Sequence, residues 1–290
     1  MKTCPWCGTP TENKYIELKD HFLSKEVFSI LECPQCGLLF TYPRPAPDVI
    51  GKYYQSEDYY SHQENNKGFI PRLYEFVKSF NIKHKANLAI SGVPQGSLLD
   101  IGCGVGDFLV HIKQQGWEVQ GIEPSADAKQ IAQSRLGFLP KDPSEYAQFE
   151  DASFDVITLW HVLEHIDDLH FQTSEICRLL KPGGRLIIAL PNFQSFDCQY
   201  YKDKWAAWDV PRHLNHFSQQ TIQSIITSTG FQIIDTQKLI WDAYYISFMS
   251  ERFLGHSLPL VRGAWTGLRS NLKASKNGMY SSLVYRFQKC

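Results

Sequence analysis

A loop of alternating glycines is the first feature of this chain that could bind a ligand. Gly102, Gly104 and Gly106 follow a short apolar run, and a helical pattern begins directly after them. Glycine lets the backbone turn tightly and lets a ligand approach the main chain without meeting a Cβ atom. Glu123 ends the next apolar run, 21 residues after Gly102, where a carboxylate can accept hydrogen bonds from both hydroxyls of a ribose. The loop and this acid together predict a bound nucleoside.

The spacing of the glycines and a second acid indicate which nucleoside is bound. A dinucleotide-binding loop has the pattern G-x-G-x-x-G, whereas here the third glycine comes one residue earlier. Asp100 ends the strand before the loop, and its carboxylate would repel a pyrophosphate but suit a cationic amino group such as that of methionine. This chemistry favours S-adenosylmethionine, with an NAD-dependent enzyme as a distant alternative.

Two pairs of cysteines near the start of the chain have the spacing of a metal site. Cys4 and Cys7, and again Cys33 and Cys36, form the pattern C-P-x-C-G, with 25 residues between the pairs. Two such turns supply four thiolates for tetrahedral zinc. A redox pair is the alternative, and the duplication argues against it. Four thiolates leave no open position, so we expect a structural zinc ion that supplies the folding energy of a module too small to bury much core.

The remaining cysteines do not share this spacing. Cys177, Cys198 and Cys290 are predicted to serve packing only. Packing is the favoured role of Cys103 as well, but it lies inside the glycine loop, where a small residue is needed, and it is grouped with the loop among the cofactor-binding positions.

Three regions position these residues. Residues 1–45 form the predicted zinc ribbon, residues 46–95 a helical connector and lid, and residues 96–290 a larger domain in which strands and helices alternate. Such alternation predicts an α/β fold, with a mostly parallel sheet covered by helices on both faces. We expect a doubly wound, Rossmann-like sheet of seven strands, preceded by the ribbon.

The pattern of apolar residues predicts where the elements lie. The predicted helices of the larger domain cover residues 107–115 and 169–180 and begin again after Ser218. The predicted strands cover residues 97–101, 117–122, 154–160, 185–190, 231–236 and 283–287.

Residues 96–236 resemble a class I S-adenosylmethionine-dependent methyltransferase. The resemblance lies in five segments, of which the last is the weakest: LLDIGCGVGDFL (98–109), GIEPS (121–125), SFDVITLWHVLEHIDD (153–168), LLKPGGRLIIALPN (179–192) and PRHLNHFS (211–218). It implies the cofactor S-adenosylmethionine and a set of residues that contact it: Asp100, Gly102, Cys103, Gly104, Gly106, Glu123, Pro124, Trp160 and His161.

The resemblance also implies how these residues divide the cofactor. Asp100 and the glycines would surround its methionine end, and Glu123 would hold the ribose. Pro124 would border the adenine, while Trp160 and His161 would line the pocket. No acidic residue that contacts the adenine is identified in residues 141–145.

Histidines are the candidates for chemistry on the acceptor, because methyl transfer requires alignment of the acceptor and often removal of its proton. His165 and His213 are the predicted catalytic residues, and the resemblance implies that residues 211–218 close over the acceptor site. Polar packing or capping is the alternative role for each. The segment His161-x-x-Glu164-His165 differs from the metal motif H-E-x-x-H, because its glutamate stands elsewhere.

Composition narrows the choice of acceptor. Lys and Arg total 29 against 30 for Asp and Glu, giving a formal net charge of −1. Nucleic-acid binding usually requires a basic surplus, so RNA base methylation is the less favoured alternative. A non-catalytic module that keeps the fold is the other. The layout resembles bacterial enzymes that modify sugars, lipids or secondary metabolites, so a small-molecule acceptor is favoured.

The sequence also bears on location and on the lid. It has no apolar run long enough to cross a bilayer and no signal-peptide pattern at its start, so a cytoplasmic location is expected. Residues 48–95 and 193–220 are expected to form the lid over the cofactor. The sequence gives no oligomeric state.

Overall fold

The protein is described by a computed structural model that covers residues 2–46, 48–54 and 69–290, with side chains described from residue 79 in the last range. Part of the predicted lid, residues 55–68, lies outside the described residues. The strands of the described residues are β1 (Lys14–Lys19), β2 (Val27–Glu32), β3 (Leu39–Tyr42), β4 (Ser97–Ile101), β5 (Glu118–Ile122), β6 (Phe154–Trp160), β7 (Leu180–Pro191), β8 (Asn215–His216), β9 (Phe231–Lys238) and β10 (Ser282–Lys289).

Helices separate most of the later strands. The helices of the described residues are α1 (Phe69–Ile90), α2 (Asp107–Gln114), α3 (Ala126–Leu136), α4 (Leu169–Leu179), α5 (Phe196–Tyr201), α6 (Gln219–Thr227), α7 (Asp242–Phe253) and α8 (Pro259–Asn277). Side-chain caps begin several of them. The hydroxyl of Ser125 accepts a hydrogen bond from the N–H of Ala128 at the start of α3, and Asp168 does the same for Phe171 in α4. None of the described helices combines the length and apolar character needed to cross a bilayer.

The central sheet has the strand order β5-β4-β6-β7-β10-β9. The first four strands are parallel, whereas β10 pairs antiparallel with both β7 and β9. The α/β fold with a mostly parallel sheet is confirmed. The described residues contain six strands in this sheet and not the expected seven, because the chain beyond β5 makes only a single parallel bridge between Ile122 and Lys141.

Apolar residues on alternate positions of the strands fill two separate cores, one on each face of the central sheet. Leu99 and Ile157 belong to the core that α4 and α6 cover. Leu98 and Val156, the adjacent residues, belong to the core that α1, α2 and α3 cover. Successive side chains of a strand point to opposite faces, so the sheet is covered on both sides and the doubly wound arrangement is confirmed.

The N-terminal strands form a second sheet that is continuous with the larger domain. Strands β1, β2 and β3 are antiparallel, and β3 also pairs with β8, which lies in the segment 211–218. Residues of both regions share one core, in which Leu31, Cys33 and Phe40 pack with residues such as Phe217 and Ile222. The N-terminal strands therefore pack against the larger domain through a common core.

A buried arginine ties the same regions together. Arg212, 3% exposed, donates hydrogen bonds to Asp20 at 3.1 Å, to Asp209 at 2.6 Å and to the carbonyl oxygen of Tyr53 at 2.9 Å. Burial alone would raise the pKa of Asp20, but Arg212 and nearby backbone N–H groups hold that pKa below its ordinary value. Asp20 directly follows β1, Tyr53 belongs to the connector, and Asp209 precedes β8, so Arg212 joins these three parts of the chain.

Candidate functional site

The glycine loop between β4 and α2 has a backbone that other residues rarely adopt. Gly102, Gly104 and Gly106 have φ angles of 73°, 54° and 81°, in the left-handed region that glycine enters without steric cost. The N–H groups of Gly102 and Cys103 donate to the carbonyl oxygen of Ile122 at 2.7 and 3.0 Å. These bonds fix the loop to the end of β5, where Glu123 follows.

Glu123 joins the loop to the start of α3. One carboxylate oxygen accepts a hydrogen bond from the N–H of Gly104, and the other accepts one from the N–H of Ser125, each at 2.8 Å. The side chain is buried, whereas the neighbouring Pro124 is exposed. A carboxylate has about four acceptor sites, so Glu123 can hold the loop and still accept further hydrogen bonds.

Asp100 is a buried carboxyl group beside the loop. Burial raises its pKa to about 7, although a hydrogen bond from Thr158 at 2.5 Å and the nearby Lys85 ammonium favour the ionised form. Burial in turn lowers the pKa of Lys85. Asp100 is therefore a carboxyl group that can ionise near neutral pH, as a site for a cationic ligand requires.

Two glycines of the loop provide a matched pair of variants. A Cβ atom at Gly102 would lie 2.4 Å from a methyl carbon of Val162, whereas one at Gly104 would meet nothing within 4 Å. We expect Gly104→Ala to lower the free energy of unfolding by about 1–2 kcal/mol through backbone strain alone. Gly102→Ala should cost about 1–3 kcal/mol more because of the clash. Urea denaturation of both variants measures the difference, and equal destabilisation would contradict the geometry.

Trp160 ends β6 at the same edge of the sheet as the loop. Its ring meets Phe108 edge-to-face with centroids 5.5 Å apart, and the Lys85 ammonium lies 5.0 Å from the ring centroid. Its indole Nε1 is buried and has no hydrogen-bond partner among the described residues. A buried donor without a partner is uncommon, and here it lies beside the predicted cofactor site.

His161 follows Trp160 with a φ angle of 59°, a conformation that proteins often retain at functional sites. Its Nε2 lies 2.9 Å from a carboxylate oxygen of Asp242, and its Nδ1 lies 3.4 Å from Glu164. Burial lowers the pKa of His161, but the two carboxylates outweigh burial and raise it to about 9. His161 is therefore an imidazolium in a double ion pair at neutral pH.

The two predicted catalytic histidines lie together beside Glu164. The rings of His165 and His213 meet edge-to-face with centroids 4.6 Å apart. His213 is 8% exposed, and burial together with His165 lowers its pKa to about 4, so His213 is a weak base at neutral pH. His165 is partly exposed, and the hydroxyl of Tyr54 lies 3.1 Å from its Nδ1. The catalytic roles of both histidines stay predictions.

Several polar residues of this region were absent from the sequence-based site. Lys85, Thr158 and Asp242 come from α1, β6 and α7, and only the fold brings them to the loop and to His161. Glu164 was also absent from the sequence-based site, and it is the one of these four residues that a local sequence pattern could have identified. It lies between two histidines in residues 161–165.

The four paired cysteines converge in the N-terminal sheet. The Sγ atoms of Cys4 and Cys36 are 3.6 Å apart, and those of Cys7 and Cys33 are 3.4 Å apart. All four sulfur atoms lie within 4.8 Å of one another and none forms a disulfide. Thiolates about 2.3 Å from one zinc ion at tetrahedral angles are about 3.8 Å apart, so this donor set has the dimensions of a zinc site.

Comparison with known proteins gives a family for the chain. Residues 73–236, more than half of the chain, match the family model described as a methyltransferase domain. The demethylmenaquinone methyltransferase of Lactococcus lactis is 34% identical over 171 residues, which cover 49% of this chain and 68% of that protein. The ubiquinone biosynthesis O-methyltransferase of Alkalilimnicola ehrlichii is 30% identical over 110 residues, covering 36% and 44%.

Solved structures have the same fold. Geranyl diphosphate methyltransferase in complex with S-adenosylmethionine superposes with a TM-score of 0.52 at 16% identity, covering 73% of this chain and 85% of that one. Several curated relatives are matched over about half of their length or less, such as phosphoethanolamine N-methyltransferase 2 of Caenorhabditis elegans at 35%.

Proposed function

Since the chain belongs to the class I S-adenosylmethionine-dependent methyltransferase family, we propose that it transfers the methyl group of S-adenosylmethionine to a small-molecule acceptor. The observation that carries the proposal is the pair of carboxyl groups at the glycine loop. Asp100 lies buried on one side, and Glu123 holds the N–H of Gly104 on the other. An ammonium group and a ribose are the ligands that suit such a pair.

The residues present fit this cofactor. The space beside Gly104 is open, and the buried Nε1 of Trp160 has no partner among the described residues. In this proposal Asp100 and the loop, including Cys103, hold the methionine end, and Glu123 accepts the ribose hydroxyls. Pro124 borders the adenine, and His161 with Trp160 closes the pocket. The bound cofactor supplies the electrophilic methyl group, while the protein's own groups orient the acceptor and exclude water.

The raised pKa of Asp100 leads to a prediction about pH. An ammonium ligand prefers the carboxylate, so its binding expels the proton that Asp100 carries below about pH 7. We expect affinity for S-adenosylmethionine to fall as the pH drops from 7 to 5.5, by up to about tenfold per pH unit. The ligand's own α-amino group, with a pKa of about 7.7–8.0, stays protonated in this range.

Calorimetric titrations across that range measure the effect. The variant Asp100→Asn should bind more weakly at pH 7.5 and show a flatter profile. The same slope in the variant would assign the pH dependence to another group.

We place the acceptor beside the cluster of Glu164, His165 and His213. Glu164 and His165 come shortly after Val162, whose side chain lies beside Gly102 of the glycine loop. Residues 211–218 would close over the acceptor, and residues 48–95 and 193–220 would form the lid over the cofactor. The proposed division of the chain is a ribbon at 1–45, a connector at 46–95 and the methyltransferase domain at 96–290.

We also propose that Cys4, Cys7, Cys33 and Cys36 bind one structural zinc ion. The two turns support this, because the N–H of Gly8 donates to the carbonyl oxygen of Cys4 and that of Gly37 to Cys33, each at 3.0 Å. Four thiolates complete the coordination of zinc and leave no place for a substrate.

Calorimetric titration with S-adenosylmethionine and S-adenosylhomocysteine, with NAD as the control, tests the proposed function. Binding of the first two ligands and not of NAD is expected, followed by methyl transfer when sugar, lipid and RNA acceptors are screened. Transfer only to RNA would reject the small-molecule acceptor. Cofactor binding without turnover on any acceptor would favour the non-catalytic module.

A further inference from the structure

Glu164 is a buried carboxylate whose charge is incompletely balanced. It is 1% exposed, and neither side-chain oxygen has a hydrogen-bond partner among the described residues. His161 Nδ1 lies 3.4 Å from one oxygen, and this ion pair offsets part of the charge. A buried ionised carboxylate is costly unless it is paired and hydrogen-bonded or binds a metal. The other oxygen of Glu164 is therefore available to a ligand.

Two imidazole rings complete a set of three donors around this carboxylate. One ring nitrogen of His165, one ring nitrogen of His213 and one carboxylate oxygen of Glu164 all lie within 4.8 Å of one another. Glu164 and His165 are neighbours on the short 3₁₀ turn after β6, and His213 comes from the segment before β8. Ligands about 2.0–2.2 Å from one ion are about 3–3.5 Å apart, so small rotations of these side chains would close the set.

The backbone fixes which nitrogen of each ring is free. His165 Nδ1 lies 3.0 Å from the carbonyl oxygen of Arg212, and His213 Nδ1 lies 2.9 Å from that of Ala207. A carbonyl oxygen only accepts, so in both rings Nδ1 carries the proton and the neutral ring presents a lone pair at Nε2. Histidines that bind metals usually have their second nitrogen held in this way.

Among the described residues, no hydrogen bond to Nε2 of His213 competes with a ligand. The nearest carboxylate oxygen, on Asp209, lies 3.9 Å away, beyond hydrogen-bond distance. The carboxylate of Asp209 is already bound to Arg212. His213 is therefore held at one nitrogen and available for a ligand at the other.

A small cavity adjoins the cluster. Glu164 and His213 line it together with apolar side chains such as Phe193 and Trp205. About 10 Å³ is available there to the centre of a water molecule, which is room for about one water or ion. This space is too small for an organic acceptor.

We propose that Glu164, His165 and His213 bind one divalent transition-metal ion, in a site distinct from the four thiolates. Two histidines and one carboxylate are the ligands of zinc in sites that keep an open position, and of non-haem iron(II). The open position would take a water molecule, and the acceptor that we place beside the cluster would contact this water and not the ion. That use rests on the proposed function, whereas binding of the ion does not.

Metal content measured without cofactor or acceptor tests the site, with zinc as the probe. Purified full-length protein saturated with zinc is expected to hold two ions per chain by mass spectrometry of the metal, one in each site. In Glu164→Gln and in His213→Gln we expect the thiolate-bound zinc to remain. The affinity for the second ion should fall by at least about 100-fold, the upper end of what loss of even a supporting contact causes.

Two controls make the outcome specific. His111→Gln, a histidine of α2 outside the cluster, should keep both ions. Cobalt(II) in place of zinc distinguishes the sites, because thiolate ligands give intense charge-transfer absorption and nitrogen and oxygen ligands do not.

The wild-type stoichiometry decides the question even where a variant fails to fold. One ion per chain at saturating zinc, all of it thiolate-bound, would overturn the proposal, and so would a second ion that both variants retain. Because no cofactor is present, this failure is distinct from a failure to bind S-adenosylmethionine.

Discussion

A chain with Cys4→Ser and Cys7→Ser is expected to lose the thiolate-bound zinc and to unfold its N-terminal sheet. Binding of a structural zinc contributes about 10–16 kcal/mol in isolated zinc-finger peptides, and whole domains are stable by only about 5–15 kcal/mol. The two sulfur atoms also pack beside the core that the ribbon shares with the central sheet. Metal analysis with hydrogen exchange of β1, β2 and β3 measures both effects.

A matched variant distinguishes the effect of losing zinc from the effect of losing a thiol group elsewhere in the chain. Cys177→Ser changes a partly buried cysteine outside the cluster, so it should keep both the zinc and the exchange protection. Retention of the thiolate-bound zinc in the double variant would show that the ligands lie elsewhere.

Glu123→Ala is expected to lower the affinity for S-adenosylmethionine by at least 100-fold. Hydrogen bonds to a charged group contribute about 1.5–3 kcal/mol each, and two ribose hydroxyls lose their acceptor. A 100-fold loss corresponds to about 2.7 kcal/mol. The N–H groups of Gly104 and Ser125 lose their shared partner as well, so the loop itself becomes less ordered. Calorimetric titration measures the affinity.

One control variant changes another glutamate on the preceding strand β5, and the other makes a milder change at Glu123 itself. Glu118→Ala removes an exposed glutamate of β5 and should leave affinity unchanged. Glu123→Gln keeps one acceptor oxygen and should fall between the wild type and the alanine variant. Unchanged affinity in Glu123→Ala would reject its assignment to the ribose.

Local patterns predicted the elements around the cofactor site well. The strands over residues 97–101 and 154–160 have the predicted bounds, because short apolar runs end there in glycine or polar residues. The strand that we expected at 185–190 is longer, Leu180–Pro191, since Leu180 already pairs with Phe154, although the register with β6 shifts before Arg185 and Gly183 has a φ of 73°. A Pro-Gly-Gly run in a sequence usually separates two elements of secondary structure. Here pairing with β6 begins before the run, at Leu180.

Contacts between distant parts of the chain could not be predicted. Asp242 looks like an ordinary acidic residue at the start of a helix, yet it lies 2.9 Å from His161, 81 residues earlier. The backbone position of His213 likewise depends on the N-terminal sheet, because the hydroxyl of Thr41 donates to its carbonyl oxygen at 2.6 Å. The segment His161-x-x-Glu164-His165 differs from H-E-x-x-H, and the third residue of the proposed cluster, His213, lies 48 residues after His165 in the chain.

The pairing of β3 with β8 has a consequence for the order in which the protein folds during synthesis. Thr41 and His216, which bond at 3.1 Å, are 175 residues apart. At about 5–20 residues per second, synthesis of that stretch takes on the order of 10 to 35 s. The cysteine pairs of the proposed zinc site emerge early, but the edge of β3 stays open through that interval. An open strand edge pairs readily with other chains. The N-terminal sheet, whose first three strands are synthesised before the central sheet, is therefore completed only after β8 has left the ribosome.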